Sequence, residues 1–144
     1  MTEQFVVDAS VVAKLYLKDE QHTNNVDMLF LRFEQGQVEL LAPRIVIYEV
    51  PAAVKSGAAR VRADNAMVRN ALISFEGIGL IVIDDSGAIR EAMDLALSYS
   101  CSYYDALYLL LAEDLSCHFI TADEKLYRNM KKRVSYIVFI GSYK

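Results

Sequence analysis

The stretch Gln4-Phe5-Val6-Val7-Asp8 decides the reading of the fold: consecutive apolar residues closed by a carboxylate. A strand covered on both faces carries apolar side chains at successive positions rather than alternating ones. Ser10 to Leu17 follows as a short helix, and either Asp8 or Ser10 suits its N-cap. The same rhythm recurs along the chain. Helical spacing covers residues 24–34, ended by Gly36, and Val38 to Ala42 is a strand. Pro43 suits the first position of the next helix, which runs to about Lys55 with Gly57 following. A helix from Arg60 to Glu76 leads to the apolar strand Gly79 to Ile83. Further helices are expected over 86–99 (with Ile89, Ala92, Met93 and Ala96 on one face), 103–114 (introduced by Ser102) and 123–132, and strands over 117–121 and 134–139.

Strands joined by helical segments imply crossover connections and a mainly parallel sheet. The expected fold class is α/β, a three-layer α/β/α sandwich. With no linker, repeat or low-complexity tract, residues 1–144 have the size of a single domain. No apolar run reaches the roughly 18–20 residues of a membrane span, and Met1-Thr2-Glu3-Gln4 does not open a secretory signal. A cytoplasmic chain is expected. Cys101 and Cys117 form neither a CxxC pair nor a disulfide framework and read as small core residues.

In open α/β sheets, ligands bind beyond the carboxyl ends of the strands. Asp8 and Asp123 fall there, each just after an apolar run. Glu49 and Asp105 interrupt apolar helices that could border those ends. Each aspartate also has a purely structural explanation. Asp8 and Asp123 could cap the helices that follow them, and Asp105 lies in a first turn, where the helix dipole favours negative charge. Glu49 has no such explanation: it reads as helix interior, about two turns past Pro43, or as a surface residue. Gathered carboxylates repel and are costly to desolvate, a cost that a hard divalent cation offsets. Three or four carboxylates can hold one or two Mg²⁺ or Mn²⁺ ions. His22 and His118 are isolated and form no zinc pattern. Asp84-Asp85 reads as a turn with Ser86 capping the next helix, Glu113-Asp114 as a solvated helix end, and Asp19-Glu20 as a polar loop.

The net charge of −4 disfavours nucleic-acid binding until its distribution is considered. Residues 125–144 hold six basic residues and no acid. Arg44, Lys125 and Arg128 are candidates for a basic rim that would attract a phosphate backbone, although ordinary solvated helix faces explain them equally well.

Four segments, FVVDASVVAKLYL (5–17), PRIVIYEVPAAV (43–54), YYDALYLLLAEDL (103–115) and FITADEKLYR (119–128), resemble in order and spacing the four motifs of PIN-domain proteins, and are most similar to those of VapC-type toxins of prokaryotic toxin–antitoxin pairs. The resemblance implies an α/β/α sandwich and an Mg²⁺- or Mn²⁺-dependent endoribonuclease. Its acidic quartet falls on Asp8, Glu49, Asp105 and Asp123, and its small hydroxyl residues on Ser10 and Thr121. It also implies a homodimer, an RNA substrate and a small antitoxin that occludes the site. Two departures stand out. Ala52 replaces an Asn that many relatives carry three positions after the glutamate. Pro51, inside the expected helix, removes a hydrogen bond to the Ile47 carbonyl and should kink the helix. They keep open a non-catalytic PIN-fold module that binds RNA or protein. A flavodoxin-like phosphoacceptor domain fits less well: the first strand carries only Asp8, and no lysine ends a strand.

Overall fold

The computed structural model describes residues 2–18 and 21–144, so Asp19 and Glu20 lie outside the described residues. Five strands form one sheet: β1 (Glu3–Val7), β2 (Val38–Pro43), β3 (Ile81–Ile83), β4 (His118–Thr121) and β5 (Ile137–Phe139). Their order is β3-β2-β1-β4-β5, and every pairing is parallel. Seven α-helices connect them among the described residues: α1 (Ala9–Lys14), α2 (Thr23–Glu34), α3 (Val46–Ala58), α4 (Asn65–Glu76), α5 (Ile89–Tyr99), α6 (Tyr103–Asp114) and α7 (Glu124–Met130). The chain first steps outward from β1 to β2 and β3, then returns to β4 on the opposite side of β1. Right-handed crossovers therefore place the helices before β3 on one face and those after it on the other. This is the expected α/β/α sandwich.

Burial follows position in the sheet. Phe5, Val6 and Val7 of β1, Leu40 and Ala42 of β2, and Phe119 and Ile120 of β4 belong to one core with Val46, Val50, Tyr108 and Leu109 from the helices. The continuous apolar runs are thus strands covered on both faces. The edge strand β3 differs. Ile81 and Val82 are exposed, and the strand spans three residues rather than the five expected.

Several boundaries move for identifiable reasons. Pro43 closes β2 opposite Ile83 instead of opening a helix. α3 consequently starts at Val46, and Glu49 lies in its first turn rather than its interior. α3 carries Pro51 inside one helix, as expected. It also continues through Gly57, which is buried: a Cβ there would stand 2.5 Å from the Leu17 side chain, so this glycine serves close packing rather than helix termination. The helix expected from Arg60 begins only at Asn65. Arg62 adopts a φ of 55°, and Asp64 caps α4 by accepting a hydrogen bond from the Met67 amide at 2.9 Å. On α5, Ala92 and Ala96 are buried while Ile89 and Met93 are exposed, so the inward face is narrower than the pattern suggested. No helix among the described residues is long and apolar enough to cross a membrane.

Candidate functional site

The winding order of the chain reverses between β1 and β4, and a crevice forms beyond the carboxyl ends of two such strands. Asp8 follows β1 directly, and Thr121 is the last residue of β4. The Asp8 amide donates to the Ile120 carbonyl at 2.9 Å, extending the β1–β4 pairing to the point where the two chains diverge.

Asp8 occupies the N-cap position of α1, yet its side chain caps nothing. Its Oδ2 instead accepts hydrogen bonds from the Thr121 hydroxyl at 2.7 Å and the Ser10 hydroxyl at 2.8 Å. Both hydroxyls are themselves held. The Ala122 amide donates to Ser10 Oγ and the Asp123 amide to Thr121 Oγ1, each at 3.0 Å. Asp8 and Thr121 are the two buried polar or charged residues among those described. Burial pushes the Asp8 carboxyl up from 3.8 to about 7; the Thr121 and Ser10 hydroxyls pull it back, and Asp105 and Glu49 add to the rise. The capping explanation for Asp8 therefore fails, and its actual partners come from β4 and from α1 itself.

The other three acids stand at the starts of helices. Asp123 does cap α7, accepting from the Leu126 amide at 3.0 Å. Asp105 lies in the first turn of α6, and its amide donates to the Ser102 hydroxyl at 3.0 Å. Glu49 accepts a hydrogen bond from the Tyr108 hydroxyl at 2.8 Å. Partial burial raises the carboxyls of both Glu49 and Asp105; the Tyr108 and Ser102 hydroxyls respectively oppose the shift, while negative neighbours reinforce it.

The four acids form a chain of electrostatic neighbours: Asp8 with Glu49 and Asp105, Glu49 with Asp105, and Asp105 with Asp123. Four segments distant in sequence thus converge at one end of the sheet. Among the described residues, no three Asp, Glu, His or Cys side chains are placed as they stand to hold a metal ion between them. By chemistry the set fits a hard divalent cation. Its donors are carboxylate oxygens of like charge, and Asp8 is buried at a cost that a cation would offset.

Asp105 and Asp123 line a cleft of about 240 Å³ together with Ser102, Lys125 and Asn129. Lys125 is exposed at this cleft, and Arg44 is exposed in the turn between β2 and α3. Arg128 is tied to Glu124 within α7 at 2.6 Å, which weakens its candidacy for contacting a substrate. A larger groove of about 510 Å³ lies elsewhere, between Tyr16, Val54, Met67 and Ala71, and contains none of the four acids. The sequence marks Tyr108 as an aromatic residue for either the core or a dimer surface rather than for the site, because its neighbours Leu107 and Leu109 make α6 look uniformly apolar; it is fully buried. Its spacing three residues after Asp105, which places both on one helix face, was the available signal.

A parallel sheet with an acidic cluster at its switch point defines an α/β protein with a polar site beyond its central strands. Residues 5–132 match the PIN domain family, and the chain belongs to it. Members of this family are generally metal-dependent nucleases. The fold is similar to that in the crystal structure of PAE2754 from Pyrobaculum aerophilum, with a TM-score of 0.69 and 22% identity over 96% of this chain and 84% of that one. No curated protein matches the chain at a significant level.

Proposed function

We propose that the chain is an Mg²⁺- or Mn²⁺-dependent endoribonuclease of the VapC type, the toxin of a toxin–antitoxin pair. The observation that carries this reading is the buried Asp8 carboxylate. It is held by Ser10 and Thr121 at the switch point, with Glu49 and Asp105 as electrostatic neighbours. Burying a carboxylate that is held by hydroxyls and faces other acids costs stability, and a cation-binding role explains its presence.

Asp8, Glu49, Asp105 and Asp123 would hold the cation, which when bound polarises a phosphodiester and makes a water molecule more acidic. The chain's own groups prepare the site. Ser10 and Thr121 fix Asp8 Oδ2, and their oxygens are fixed in turn by the amides of Ala122 and Asp123. Lys125 at the cleft and Arg44 beyond β2 supply positive charge for the RNA backbone, which positions the strand without reading its sequence. Arg128 contributes least, since Glu124 already neutralises it. The motif resemblance also supports a homodimer inhibited by a small antitoxin.

Asp8→Asn is expected to abolish Mn²⁺-stimulated cleavage of single-stranded RNA while the protein remains folded. Wild-type cleavage by this variant would overturn the assignment. Absence of Mn²⁺ binding by calorimetry at millimolar metal would favour the non-catalytic binding module, which Ala52 and the separated carboxylates keep in view. Growth arrest on expression, relieved by a small protein encoded upstream, tests the toxin role.

A further inference from the structure

We propose that Tyr108 is a positioning residue that fixes the orientation of the Glu49 carboxylate, an inference that rests on the metal-dependent reading above. Each of the other acids also has a holder. Ser10 and Thr121 hold Asp8, the Leu126 amide holds Asp123, and Ser102 lies against Asp105. Glu49 is the longest of the four side chains and has the most rotamer freedom to lose on ordering. It stands in the first turn of α3 between the exposed Tyr48 and the buried Val50. Its holder comes from a different helix: the Tyr108 hydroxyl on α6, at 2.8 Å.

Tyr108 is suited to this task because its ring is enclosed by the core. It is fully buried, and its ring packs against Phe119 of β4 at a centroid distance of 5.7 Å. The phenol also lies close to Asp8 and to the backbone amide of Ala9, so it bridges the start of α1, the start of α3 and the face of α6. Phenylalanine would fill the same space and bury no hydroxyl. A buried hydroxyl is costly unless bonded, and Glu49 is the partner that satisfies it. Ala52 leaves α3 without an amide side chain one turn beyond Glu49, so orientation has to come from across the interface.

The test uses the full chain with Mn²⁺ as probe. Tyr108→Phe is expected to keep its fold by circular dichroism and to lose Mn²⁺ affinity in calorimetry on the order of tenfold, the scale seen when partners of metal ligands are removed. Its RNA cleavage should recover as Mn²⁺ is raised, which a general packing defect would not permit. Glu49→Gln should also lose affinity, and the combined variant should be no weaker than Glu49→Gln alone, because Tyr108 acts through Glu49. Should Tyr108→Phe fail to fold, Glu49→Asp takes its place: it withdraws the carboxylate from the phenol and is expected to show the same loss. Wild-type Mn²⁺ affinity in Tyr108→Phe, or a loss that adds in full to that of Glu49→Gln, overturns the positioning role while leaving the nuclease reading intact. Wild-type affinity in Asp8→Asn overturns the metal site itself, and the positioning role with it.

Discussion

Two strands of this sheet end alike in sequence and opposite in chemistry. β1 ends Val6-Val7-Asp8 and β3 ends Val82-Ile83-Asp84, each an apolar run closed by aspartate. Asp8 is buried, and its carboxyl is pushed up to about 7. Asp84 is exposed, and the Ser86 amide, bonded to its Oδ1 at 3.0 Å, holds its carboxyl below the usual range with help from the Ser86 hydroxyl. The local pattern does not distinguish them. Position in the sheet does: β1 has β2 on one side and β4 on the other, whereas β3 is an edge strand with solvent beside it. A carboxylate after the central strand β1 is enclosed by groups from a second strand end, whereas the one after the edge strand stays in solvent, bonded to Ser86 of its own turn and with Arg44 as a charged neighbour.

The largest expected contrast is in cleavage. Asp8→Asn should lower Mn²⁺-dependent RNA hydrolysis by at least about 100-fold, beyond the range typical of outer partners of metal ligands. Asp84→Asn should leave the rate unchanged. Equal losses in an RNA cleavage assay would break the contrast between the two strand ends.

Stability against pH should separate them next. Between its ordinary value of 3.8 and about 7, folded Asp8 retains a proton that the unfolded chain has released. The metal-free protein should therefore be most stable in this respect near pH 4 and lose stability as pH rises to about 7, by a few kcal/mol at most. Asp8→Asn should flatten that slope in denaturant titrations at successive pH values. Asp84 has the opposite sign: its small contribution is present above the ordinary carboxylate value and fades as pH falls. An unchanged slope in Asp8→Asn would show that the burial of this carboxyl has no thermodynamic consequence.

Thr121→Val probes the hydroxyl that sets Asp8 apart. It keeps the side-chain volume, removes a hydrogen bond to the carboxylate and leaves the Asp123 amide without its partner. A loss of about 2 kcal/mol at pH 8 in urea unfolding is expected, together with a further rise of the Asp8 carboxyl. The smallest effect belongs to Arg128→Ala. It breaks an exposed pair within one helix and should cost no more than about 0.5 kcal/mol by the same measurement.

Much of the architecture was legible because it rests on local patterns. Apolar runs such as Phe5-Val6-Val7 and Phe119-Ile120 are covered on both faces, and the residues of α6 matched their expected span from Tyr103 to Asp114. What local pattern could not supply was competition. Asp64 is a strong cap, and it set the start of α4 later than the apolar spacing alone suggested. Pro43 pairs with the edge strand, so α3 begins later and Glu49 moves into its first turn. The acidic positions could be read one by one. Their holders were legible for Ser10 and Thr121 through family resemblance, but not for Tyr108, whose hydroxyl acts across an interface between two helices.

The bond between Asp8 and Thr121 spans 113 residues. During synthesis Asp8 emerges before β4, which shelters it, with α1 to α6 made in between. A nascent chain that has already produced α6 carries Asp8, Glu49 and Asp105, yet lacks the strand that would seal the first of these from water. The proposed site is thereby incomplete in any nascent chain that has not yet reached Thr121.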